Sequence, residues 1–365
     1  MDQDLALMQR ALALAEQAIG LSDPNPRVGC VITRADGSVL GEGHTQAAGE
    51  AHAEVMALRA ARAAGHDVRG CTVYVSLEPC AHHGRTPPCC DTLVEAGVAR
   101  VVVAVEDPNP LVAGQGIARL RAAGIEVVTG PGAEASRELN IGFFSRMQRG
   151  RPWVRMKIAA SLDGRTALLN GRSQWITGEA ARKDGHAWRK RAGAVLTGVG
   201  TVLEDDPRLD VRLVETARQP LRVIVDSRLE TPLTARVLQP PGEVLVYCAA
   251  RDPSRGAALE AGGAAISIQA AATGKVDLPA MLDDMARRGI NEVHAEAGHK
   301  LNGSLVREGL VDEFLIYLAP MLIGAGREMA FFGPLERLDQ APRFDWAEMQ
   351  RIGQDICLRA RAKPA

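Results

Sequence analysis

The sequence predicts two successive α/β domains. Helical segments alternate with short apolar strands in both halves of the chain, and this alternation is typical of layered α/β folds. A helical segment at 134–147 is followed by Gly150 and Pro152, residue types that commonly follow the end of a helix. The chain of 365 residues is long enough for two or three domains. We therefore place the two domains at 1–147 and 148–365.

The first half is predicted to build its helices around a largely parallel sheet. Apolar residues recur with the helical period from Leu5 to Ile19, and the stretch 23–32 predicts a turn that leads into a strand. Asn25, between two prolines, is either a turn former or an amide directed at a bound base. Helices are predicted at 4–19, 52–64, 89–96, 113–123 and 134–147, and further strands at 38–44, 72–77, 100–105 and 125–128.

The second half repeats the alternation without a dinucleotide-binding fingerprint. Strands are predicted at 153–160, 194–198, 221–225, 244–248, 292–296 and 314–322, helices at 180–191, 278–288 and 300–308, and β-like runs at 344–349 and 356–360. The Gly-x-Gly pairs that begin at Gly198 and Gly324 lack the third glycine of a Rossmann motif. A Gly-rich bend at 296–303 joins a strand to a helix and is a weak candidate for binding phosphate.

Composition excludes several classes of protein. The net charge is -1 and aromatic residues make up 4%, which indicates neither a polyanion partner nor a base-stacking surface. The acidic start differs from a signal peptide, and no apolar run approaches the roughly 18 residues of a membrane helix. Three of the seven cysteines cluster between Cys80 and Cys90, which indicates metal binding in a reducing cytosol. We expect a cytoplasmic protein with no nucleic-acid and no membrane partner.

One histidine, two cysteines and a carboxylate predict a catalytic zinc site. His52 and Glu54 form a His-x-Glu pair, and Cys80 follows a proline. Zinc-dependent base deaminases combine His-x-Glu with Pro-Cys-x-x-Cys, so that three ligands hold zinc, the fourth position is left for water and the glutamate carries protons. We predict one Zn²⁺ held by His52, Cys80 and Cys89, with Glu54 as the catalytic proton shuttle.

The second cysteine departs from that spacing. Eight residues separate Cys80 from Cys89, where the deaminase pattern has two. The intervening Gly and Pro residues disfavour a helix and allow the chain to loop out. Cys89 would open the next helix, where a thiol pKa is lowered. Cys90 is the competing ligand, but its side chain would point about 100° away on that helix.

The alternative to a catalytic site is a structural zinc site, in which protein ligands fill all four positions. It would need a fourth ligand, which His82 or His83 could provide. We favour the open site because a structural site has no use for the carboxylate of Glu54. His82 and His83, in a loop with Arg85, are expected to bind a substrate anion instead.

Motifs in both halves resemble the bifunctional riboflavin-biosynthesis deaminase/reductases over nearly the full length. Those of the first half are DPNPRVG at 23–29, HAEV at 52–55 and LEPCAHHGRTPPC at 77–89. The long spacing between the cysteines is itself a mark of that family. Those of the second half are KIAASLDGR at 157–165, SQWIT at 173–177, DDP at 205–207 and EAG at 296–298.

The resemblance implies a fold and an activity for each half. The first would be a cytidine-deaminase-like α/β/α layered domain that uses Zn²⁺ to remove ammonia from a diaminopyrimidinone ribosyl 5-phosphate. The second would be a dihydrofolate-reductase-like α/β domain that uses NADPH to reduce the ribosyl group to ribityl. The partner would be a phosphorylated pyrimidine, and the family suggests a homo-oligomer, either a dimer or a tetramer.

The resemblance also implies the binding residues of the second half. Those that would contact NADP are Ala159, Trp175, Thr201, Asp205, Ser227, Gly298, His299, Lys300, Leu301, Asn302, Gly303 and Ser304. Those that would contact substrate are Ser173, Arg189, Leu209, Arg212 and Glu296. Lys157 and Asp163 are two candidates for the proton donor of the reduction.

The chain departs from the family pattern in a few places. Thr45 stands where a histidine is usual, Ala51 where proline is common, and His299-Lys300 replace smaller residues in the nucleotide turn. Two other classes of function compete with the resemblance. One is a nucleic-acid base deaminase with an accessory binding domain, which the neutral charge and few aromatics disfavour. The other is a non-catalytic zinc-bearing regulator that senses a nucleotide.

Overall fold

Two large sheets, one in each half of the chain, organise the computed structural model, which describes residues 3–81, 87–250 and 252–363. The chain divides into two units, Met1–Gly150 and Arg151–Ala365. Gly150 has a left-handed backbone with φ of 70° and ends the last helix of the first unit. That helix continues beyond Met147, where we had placed the end of the first domain.

The first unit alternates helices and strands. Its helices are α1 (Gln3–Glu16), α2 (Ala53–Ala63), α3 (Cys89–Ala96), α4 (Gln115–Ala122), α5 (Ala133–Leu139) and α6 (Ile141–Arg149). Its strands are β1 (Gly29–Thr33), β2 (Val39–His44), β3 (Thr72–Val75), β4 (Arg100–Val103) and β5 (Glu126–Thr129). Every strand expected in this half is present, and so is every expected helix except the one at 134–147; most ends are shifted by a few residues.

Helices cover the first sheet on both faces. Alternate residues of a strand point to opposite sides of the sheet, so one strand contacts helices on both faces. On β1, Ile32 packs in one core with Ala57 of α2. Its neighbour Val31 packs in the other core with Met8 of α1. The first unit is therefore the α/β/α sandwich that the resemblance implied.

The expectation of a largely parallel first sheet is wrong for β1, which pairs antiparallel with both of its neighbours. The strand order is β2-β1-β3-β4-β5, and β1 pairs antiparallel with both β2 and β3. Only β3 with β4 and β4 with β5 are parallel. The short turn at 34–38 explains the difference, since a connection of this length permits only a hairpin between β1 and β2.

The prediction of a single helix at 134–147 is also wrong, because the helix is interrupted at Asn140. This residue has φ of -107° and ψ of 21° and separates α5 from α6. Its side chain accepts a hydrogen bond from Arg27 N at 2.7 Å and donates one to Arg27 O at 2.9 Å. The amide thereby fixes the loop before β1 to the start of α6.

The second unit has more elements than the sequence predicted. Its helices are α7 (Glu179–Arg191), α8 (Val199–Asp205), α9 (Pro253–Ala261), α10 (Leu278–Arg287) and α11 (His299–Arg307). Its strands are β6 (Trp153–Ser161), β7 (Arg165–Leu168), β8 (Ala194–Gly198), β9 (Leu221–Val225), β10 (Val244–Cys248), β11 (Ala264–Ile268), β12 (Glu292–Ala295), β13 (Glu313–Ala319), β14 (Gly326–Glu328), β15 (Phe344–Ile352) and β16 (Asp355–Ala362).

Nine of these strands form one sheet in the order β11-β10-β9-β8-β12-β6-β13-β16-β15. From β11 to β13 every pairing is parallel, whereas β16 pairs antiparallel with β13 and with β15. β7 and β14 pair with each other in a separate ribbon. The sequence did not predict β7, α8, α9, β11 and β14, which are short or, like α9 with its three alanines in nine residues, show little apolar periodicity.

In the part of the chain that the structure describes, no helix combines the length and the apolar character needed to cross a bilayer.

We expect Asn140→Ala to lower the free energy of unfolding by about 1–3 kcal/mol, because the buried N–H and C=O of Arg27 would lose their side-chain partner. Urea denaturation followed by circular dichroism measures the change. The matched control is Gln148→Ala at an exposed position of α6, which should shift stability by less than about 0.5 kcal/mol. Equal stability of the two variants would contradict the anchoring role of Asn140.

Candidate active sites

The ends of three regular elements bring the predicted zinc ligands together. His52 has an extended backbone and is the residue that precedes α2, so the helix starts one residue later than expected. Cys80 follows β3, and Cys89 is the first residue of α3. Pro88, with φ of -57°, directly precedes that helix. Two ligands therefore lie at helix starts, and the third lies in the turn that follows a strand of the first sheet.

The ligand atoms of His52, Cys80 and Cys89 lie within 4.8 Å of one another. His52 Nδ1 is 3.6 Å from Cys80 Sγ and 3.3 Å from Cys89 Sγ. In a tetrahedral site with Zn–S of about 2.3 Å and Zn–N of about 2.0–2.1 Å, nitrogen and sulfur ligands are about 3.5 Å apart. The donor set and its spacing fit one zinc ion. Among the described residues no further His, Cys, Asp or Glu joins this group.

The competing cysteine points elsewhere. Cys90 packs in the core on the same side of the sheet as α2, and its Sγ lies 3.7 Å from Asp91 Oδ1. The structure thus groups Cys89, and not Cys90, with His52. His82, His83 and Arg85, which are expected to bind a substrate anion, lie outside the described residues.

Each of the two thiols shifts the pKa of the other. The Cys89 thiol and its backbone N–H, at 3.3 Å, donate to Cys80 Sγ, and this lowers the pKa of Cys80 to about 4. The same thiol bond raises the pKa of Cys89 well above its usual range. The pair therefore shares a proton, and binding of a cation by both sulfurs requires its release.

The Glu54 carboxyl lies outside the ligand group and close to it. Glu54 is in the first turn of α2 and is 3% exposed. Burial, reinforced by the charge of Cys80, raises its pKa to about 7. A carboxyl with this pKa can both accept and release a proton near neutral pH.

A cleft of about 610 Å³ opens beside these residues, a volume typical of small-molecule sites. His52, Glu54 and Cys80 line it. So does Asn25, which favours the functional alternative for that residue. The sequence reasoning missed five polar residues of the lining, namely Asp107, Asn109, Arg146, Glu50 and Glu78. The position of the first two was a usable signal, because they follow β4, the parallel neighbour of the strand that leads to Cys80.

Glu78 holds the loop that carries Asp107 and Asn109. Its Oε2 accepts the backbone N–H groups of Asp107 at 3.1 Å and Gly114 at 2.9 Å. Its Oε1 accepts the N–H of Ile117 at 3.0 Å. Glu78 is only 4% exposed, so its carboxylate joins the loop after β4 to the turn that ends in Cys80.

The second candidate site lies at the carboxyl ends of the parallel strands in the larger sheet. β9, β8, β12 and β6 are consecutive neighbours there, so their carboxyl ends meet along one edge. Of the predicted residues, Ala159 lies on β6, Ser227 follows β9 and Glu296 follows β12. In open α/β sheets ligands bind outside this edge.

Glu296 is the centre of a cluster of charged side chains. Arg189 donates to both carboxylate oxygens, with Nη2 2.9 Å from Oε2. Lys157 Nζ lies 3.8 Å from Oε2, and His294 Nε2 lies 3.4 Å from Oε1. Burial alone would raise the pKa of Glu296, but the charges of Arg189 and Lys157 hold it well below its usual range.

The other predicted substrate residues adjoin Arg189 in part. Arg189 Nη1 donates to the backbone oxygen of Asp210 at 2.9 Å, and Arg212 Nη1 donates to the Asp210 carboxylate at 2.5 Å. The side chain of Leu209 packs in the core. Ser173 forms a hydrogen bond with Asp205, while burial raises the pKa of Asp205.

The predicted nucleotide-binding turn is the start of α11. Gly298 is exposed and precedes the helix, and a Cβ atom at Gly298 would lie 3.4 Å from Thr201 Oγ1. Thr201 and the turn are therefore neighbours, as a shared cofactor requires. Half-buried or exposed positions in this stretch are His299, Lys300, Leu301 and Ser304.

Two residues of the same stretch face the protein interior. Asn302 is 2% exposed and its Nδ2 donates to Met329 O at 3.0 Å. A Cβ atom on Gly303 would lie 1.8 Å from Phe331 O, so only glycine fits there. The structure gives these two residues a packing role against residues 329–331.

Two further residues predicted to contact the cofactor, Trp175 and Ser227, differ in how available they are to a ligand. Trp175 is 67% exposed, and the guanidinium of Arg182 lies 4.7 Å from the centroid of its ring. Ser227 Oγ accepts the N–H of Val276 at 3.1 Å, so it fixes the segment before α10. Trp175 offers an accessible aromatic face, whereas the Ser227 hydroxyl already has a structural partner.

The two candidate proton donors are now distinguishable. The Asp163 carboxylate accepts hydrogen bonds from Ser161 Oγ and from the N–H groups of Ile323 and Gly324, which lowers its pKa to about 2. It is ionised at neutral pH and has no proton to give. Burial lowers the pKa of Lys157, and this ammonium lies against Glu296 within the cluster. Lys157 is the better candidate.

Comparisons with known proteins match each unit to a described family. The family "Cytidine and deoxycytidylate deaminase zinc-binding region" matches residues 1–105, and "RibD C-terminal domain" matches residues 152–358. The riboflavin biosynthesis protein RibD of Escherichia coli (strain K12) is 44% identical over 369 residues, which cover 98% of each chain. RibD of Aquifex aeolicus is 38% identical, with 97% of each chain covered.

The chain belongs to the RibD family. Solved structures agree over the full length. Acinetobacter baumannii RibD superposes with a TM-score of 0.90 at 43% identity, and each chain is covered to 99%. A Thermotoga maritima deaminase/reductase superposes with a TM-score of 0.88 at 33% identity, again with 99% of each chain covered. The fold class is thereby confirmed as a cytidine-deaminase-like domain followed by a dihydrofolate-reductase-like domain.

The departures from the RibD family pattern lie at defined places. Thr45 lines the cleft, is 3% exposed, and its hydroxyl donates to Val28 O at 3.4 Å. Ala51 is buried directly before His52. His299 and Lys300 form the first turn of α11. None of these residues belongs to the group of His52, Cys80 and Cys89.

We expect Glu78→Gln to destabilise the loop after β4, because the amide group would place a donor against N–H groups that now bond an acceptor. The expected loss is about 1–3 kcal/mol in the free energy of unfolding. Hydrogen exchange of Gly114 and Ile117 should rise in the variant. Glu95→Gln at an exposed site on α3 is the control. Unchanged protection at Gly114 in Glu78→Gln would show that the carboxylate does not hold the loop.

Proposed function

We propose that the chain carries out two consecutive steps of riboflavin biosynthesis. The first unit removes ammonia from 2,5-diamino-6-(5-phosphoribosylamino)pyrimidin-4(3H)-one. The second reduces the ribosyl group of that product to ribityl with NADPH, which gives 5-amino-6-(5-phosphoribitylamino)uracil. The observation that carries the proposal is the buried Glu54 beside His52, Cys80 and Cys89 in a cleft of substrate size. The names and full-length similarity of the RibD relatives support the choice of substrate.

In the deaminase cleft, His52 Nδ1 and the sulfurs of Cys80 and Cys89 would hold Zn²⁺. When bound, zinc lowers the pKa of a water toward about 7 and so supplies a nucleophile at neutral pH. Glu54 accepts a proton from the attacking water and delivers it to the pyrimidine ring and then to the leaving amine. One water is consumed and one ammonia is released. Ala53 and Glu54 follow His52 on α2, so the proton shuttle is positioned by the same helix start as the metal.

In the reductase unit, the residues at the carboxyl edge of the larger sheet hold NADPH and substrate. NADPH supplies the hydride, and the protein orients the reacting groups. Thr201 and the exposed start of α11 form one wall for the cofactor, while Arg189, Arg212 and Glu296 form the charged wall for the ribose phosphate. An arginine pair suits a phosphorylated tail. Lys157 is the group we assign to deliver a proton to the sugar oxygen.

Charge, cysteine content and exposed apolar residues bear on the partners and the location of the protein. A net charge of -1 favours a small-molecule substrate over RNA or DNA, and cytoplasmic location follows from cysteines kept reduced for metal binding. A homo-oligomer, dimer or tetramer, is supported by β15. This edge strand exposes Trp346 at 64% and Met349 at 66%, next to Ile356 at 44% on β16. Contiguous exposed apolar residues mark association surfaces.

We expect Cys89→Ser to lose most bound zinc and all ammonia release, because the hydroxyl is a poor zinc ligand compared with a thiolate. Cys90→Ser is the matched control, since it makes the same substitution one residue along the chain and leaves the ligand group intact. Zinc content by elemental analysis and ammonia release are measured on both variants. Loss of zinc in Cys90→Ser with retention in Cys89→Ser would reverse our assignment.

We expect Glu296→Gln to abolish NADPH oxidation and to leave ammonia release intact. The substitution removes the carboxylate that holds Arg189 and Lys157 together, so both cations lose their position in the cluster. Glu308→Gln, exposed at the end of α11, is the control and should retain both activities. Loss of ammonia release in Glu296→Gln would contradict the assignment of Glu296 to the reduction alone.

A further inference from the structure

Among the described residues, several acidic side chains and a single arginine line the deaminase cleft. Among the described lining residues, the carboxyl groups are those of Glu50, Glu54, Glu78 and Asp107. Arg146 is the one lysine or arginine in that set. A phosphorylated substrate brings close to two negative charges into this cleft, and acidic groups alone would repel it. The lining therefore raises the question of which cation receives the phosphate.

Arg146 is presented to the cleft by one face of α6. Phe143, Arg146 and Met147 all line the cleft, and residues three and four apart share one face of a helix. The start of this helix is fixed by Asn140, whose amide bonds both backbone groups of Arg27. The loop before β1 and α6 thus form a single wall, and Arg146 stands on it.

The guanidinium of Arg146 is also oriented. Its Nη2 donates to Pro24 O at 3.2 Å, and its Cζ lies 5.8 Å from the centroid of the Phe143 ring. A guanidinium can bond a carbonyl on one edge and an oxyanion on another. Because the side chain is already ordered, less conformational entropy is lost when it binds a ligand.

The surroundings of Arg146 strengthen its attraction for an anion. Partial burial lowers the pKa of this guanidinium, and an arginine nevertheless stays charged at neutral pH. Charges interact more strongly where water is partly excluded. A half-buried arginine on the wall of a ligand-sized cleft therefore favours a strongly charged ligand group over a neutral one.

We propose that Arg146 binds the 5-phosphate of the pyrimidine substrate in the deaminase cleft. The inference rests on the proposed deaminase function and deepens it, because it assigns a residue that selects the phosphorylated form. Arg146 is a binding residue and takes no part in proton transfer. Its loss therefore affects KM for the phosphorylated substrate and leaves kcat nearly unchanged.

The test compares Arg146→Met and Arg146→Lys with the wild-type full-length enzyme loaded with zinc. Ammonia release is measured with the phosphorylated substrate and with the same compound after removal of its phosphate. Inorganic phosphate is added as a competitive inhibitor of the reaction with the phosphorylated substrate. Arg149→Met is the matched control, since Arg149 lies on the same helix and is not part of the cleft lining. Zinc content reports whether each variant has folded.

We expect Arg146→Met to raise KM for the phosphorylated substrate about 10- to 100-fold, as for loss of a hydrogen bond to a charged group. KM for the dephosphorylated compound should change less than about threefold, and inhibition by phosphate should disappear. Arg146→Lys should fall between wild type and Arg146→Met, because lysine keeps the charge without the planar fork. If Arg146→Met does not fold, Arg146→Lys is used to compare KM for the two substrates.

Two outcomes would overturn the proposal. An equal loss with both substrates would show that Arg146 only supports the cleft wall through Pro24 and Phe143. Unchanged KM and unchanged inhibition by phosphate would show that another group receives the anion. If wild-type enzyme released no ammonia from either compound, the deaminase function itself would fail, and that result is distinct from a loss confined to the variants.

Discussion

The convergence of one imidazole and two sulfurs at the edge of the first sheet is the constraint on which the first unit depends. The three groups come from positions 28 and 9 residues apart along the chain, so only the packing of α2 and α3 on the sheet can bring them together. That packing is close. A Cβ atom on Gly41 of β2 would lie 2.2 Å from the backbone oxygen of Ala57 on α2, so glycine is needed there for the helix to approach the strand. Moving α2 outward would remove both His52 and Glu54 from the site.

The second unit contains two clusters of paired, buried charged side chains. At the amino ends of neighbouring strands, Arg155 is 1% exposed and bonds Glu292 at 2.8 Å and Glu313 at 3.0 Å. At the carboxyl edge, Glu296 gathers Arg189 and Lys157. A buried charge is tolerated only when it is paired and hydrogen-bonded. Arg155 of the first cluster is buried, whereas Arg189 and Glu296 of the second are residues that we propose to bind the reductase substrate, so we expect the second cluster to exchange partners with a ligand.

Sequence reasoning predicted the parts of this fold that depend on local pattern. The bounds of α3, β8, β9 and β10 were predicted residue for residue, because strongly apolar runs or a preceding proline define them. It also identified His52, Cys80 and Cys89 by residue type and order. It preferred Cys89 over Cys90 from helix geometry, and the structure gives the same grouping.

The features that sequence reasoning missed depend on contacts between distant residues. The break at Asn140 arises from bonds to Arg27, more than a hundred residues earlier, and no local pattern reports such a contact. The antiparallel start of the first sheet depends on the short turn at 34–38. The cleft residues Asp107 and Asn109 are far from Arg146 in the sequence, and only the fold brings all three to one cleft. The inward-facing Asn302 and Gly303 lie in a stretch whose motif alone suggested cofactor contact throughout.

The most direct test of the central claim follows ammonia release and NADPH oxidation together, on wild type and on Glu54→Gln, with the phosphorylated diaminopyrimidinone as substrate. The account predicts that wild type shows both activities and that Glu54→Gln loses both, since reduction waits for the deaminated product. Addition of that product to Glu54→Gln should restore NADPH oxidation. Consumption of NADPH by Glu54→Gln with the undeaminated substrate would contradict the order of the two steps. Ammonia release by wild type without NADPH oxidation, even when the deaminated product is supplied, would contradict the reductase assignment.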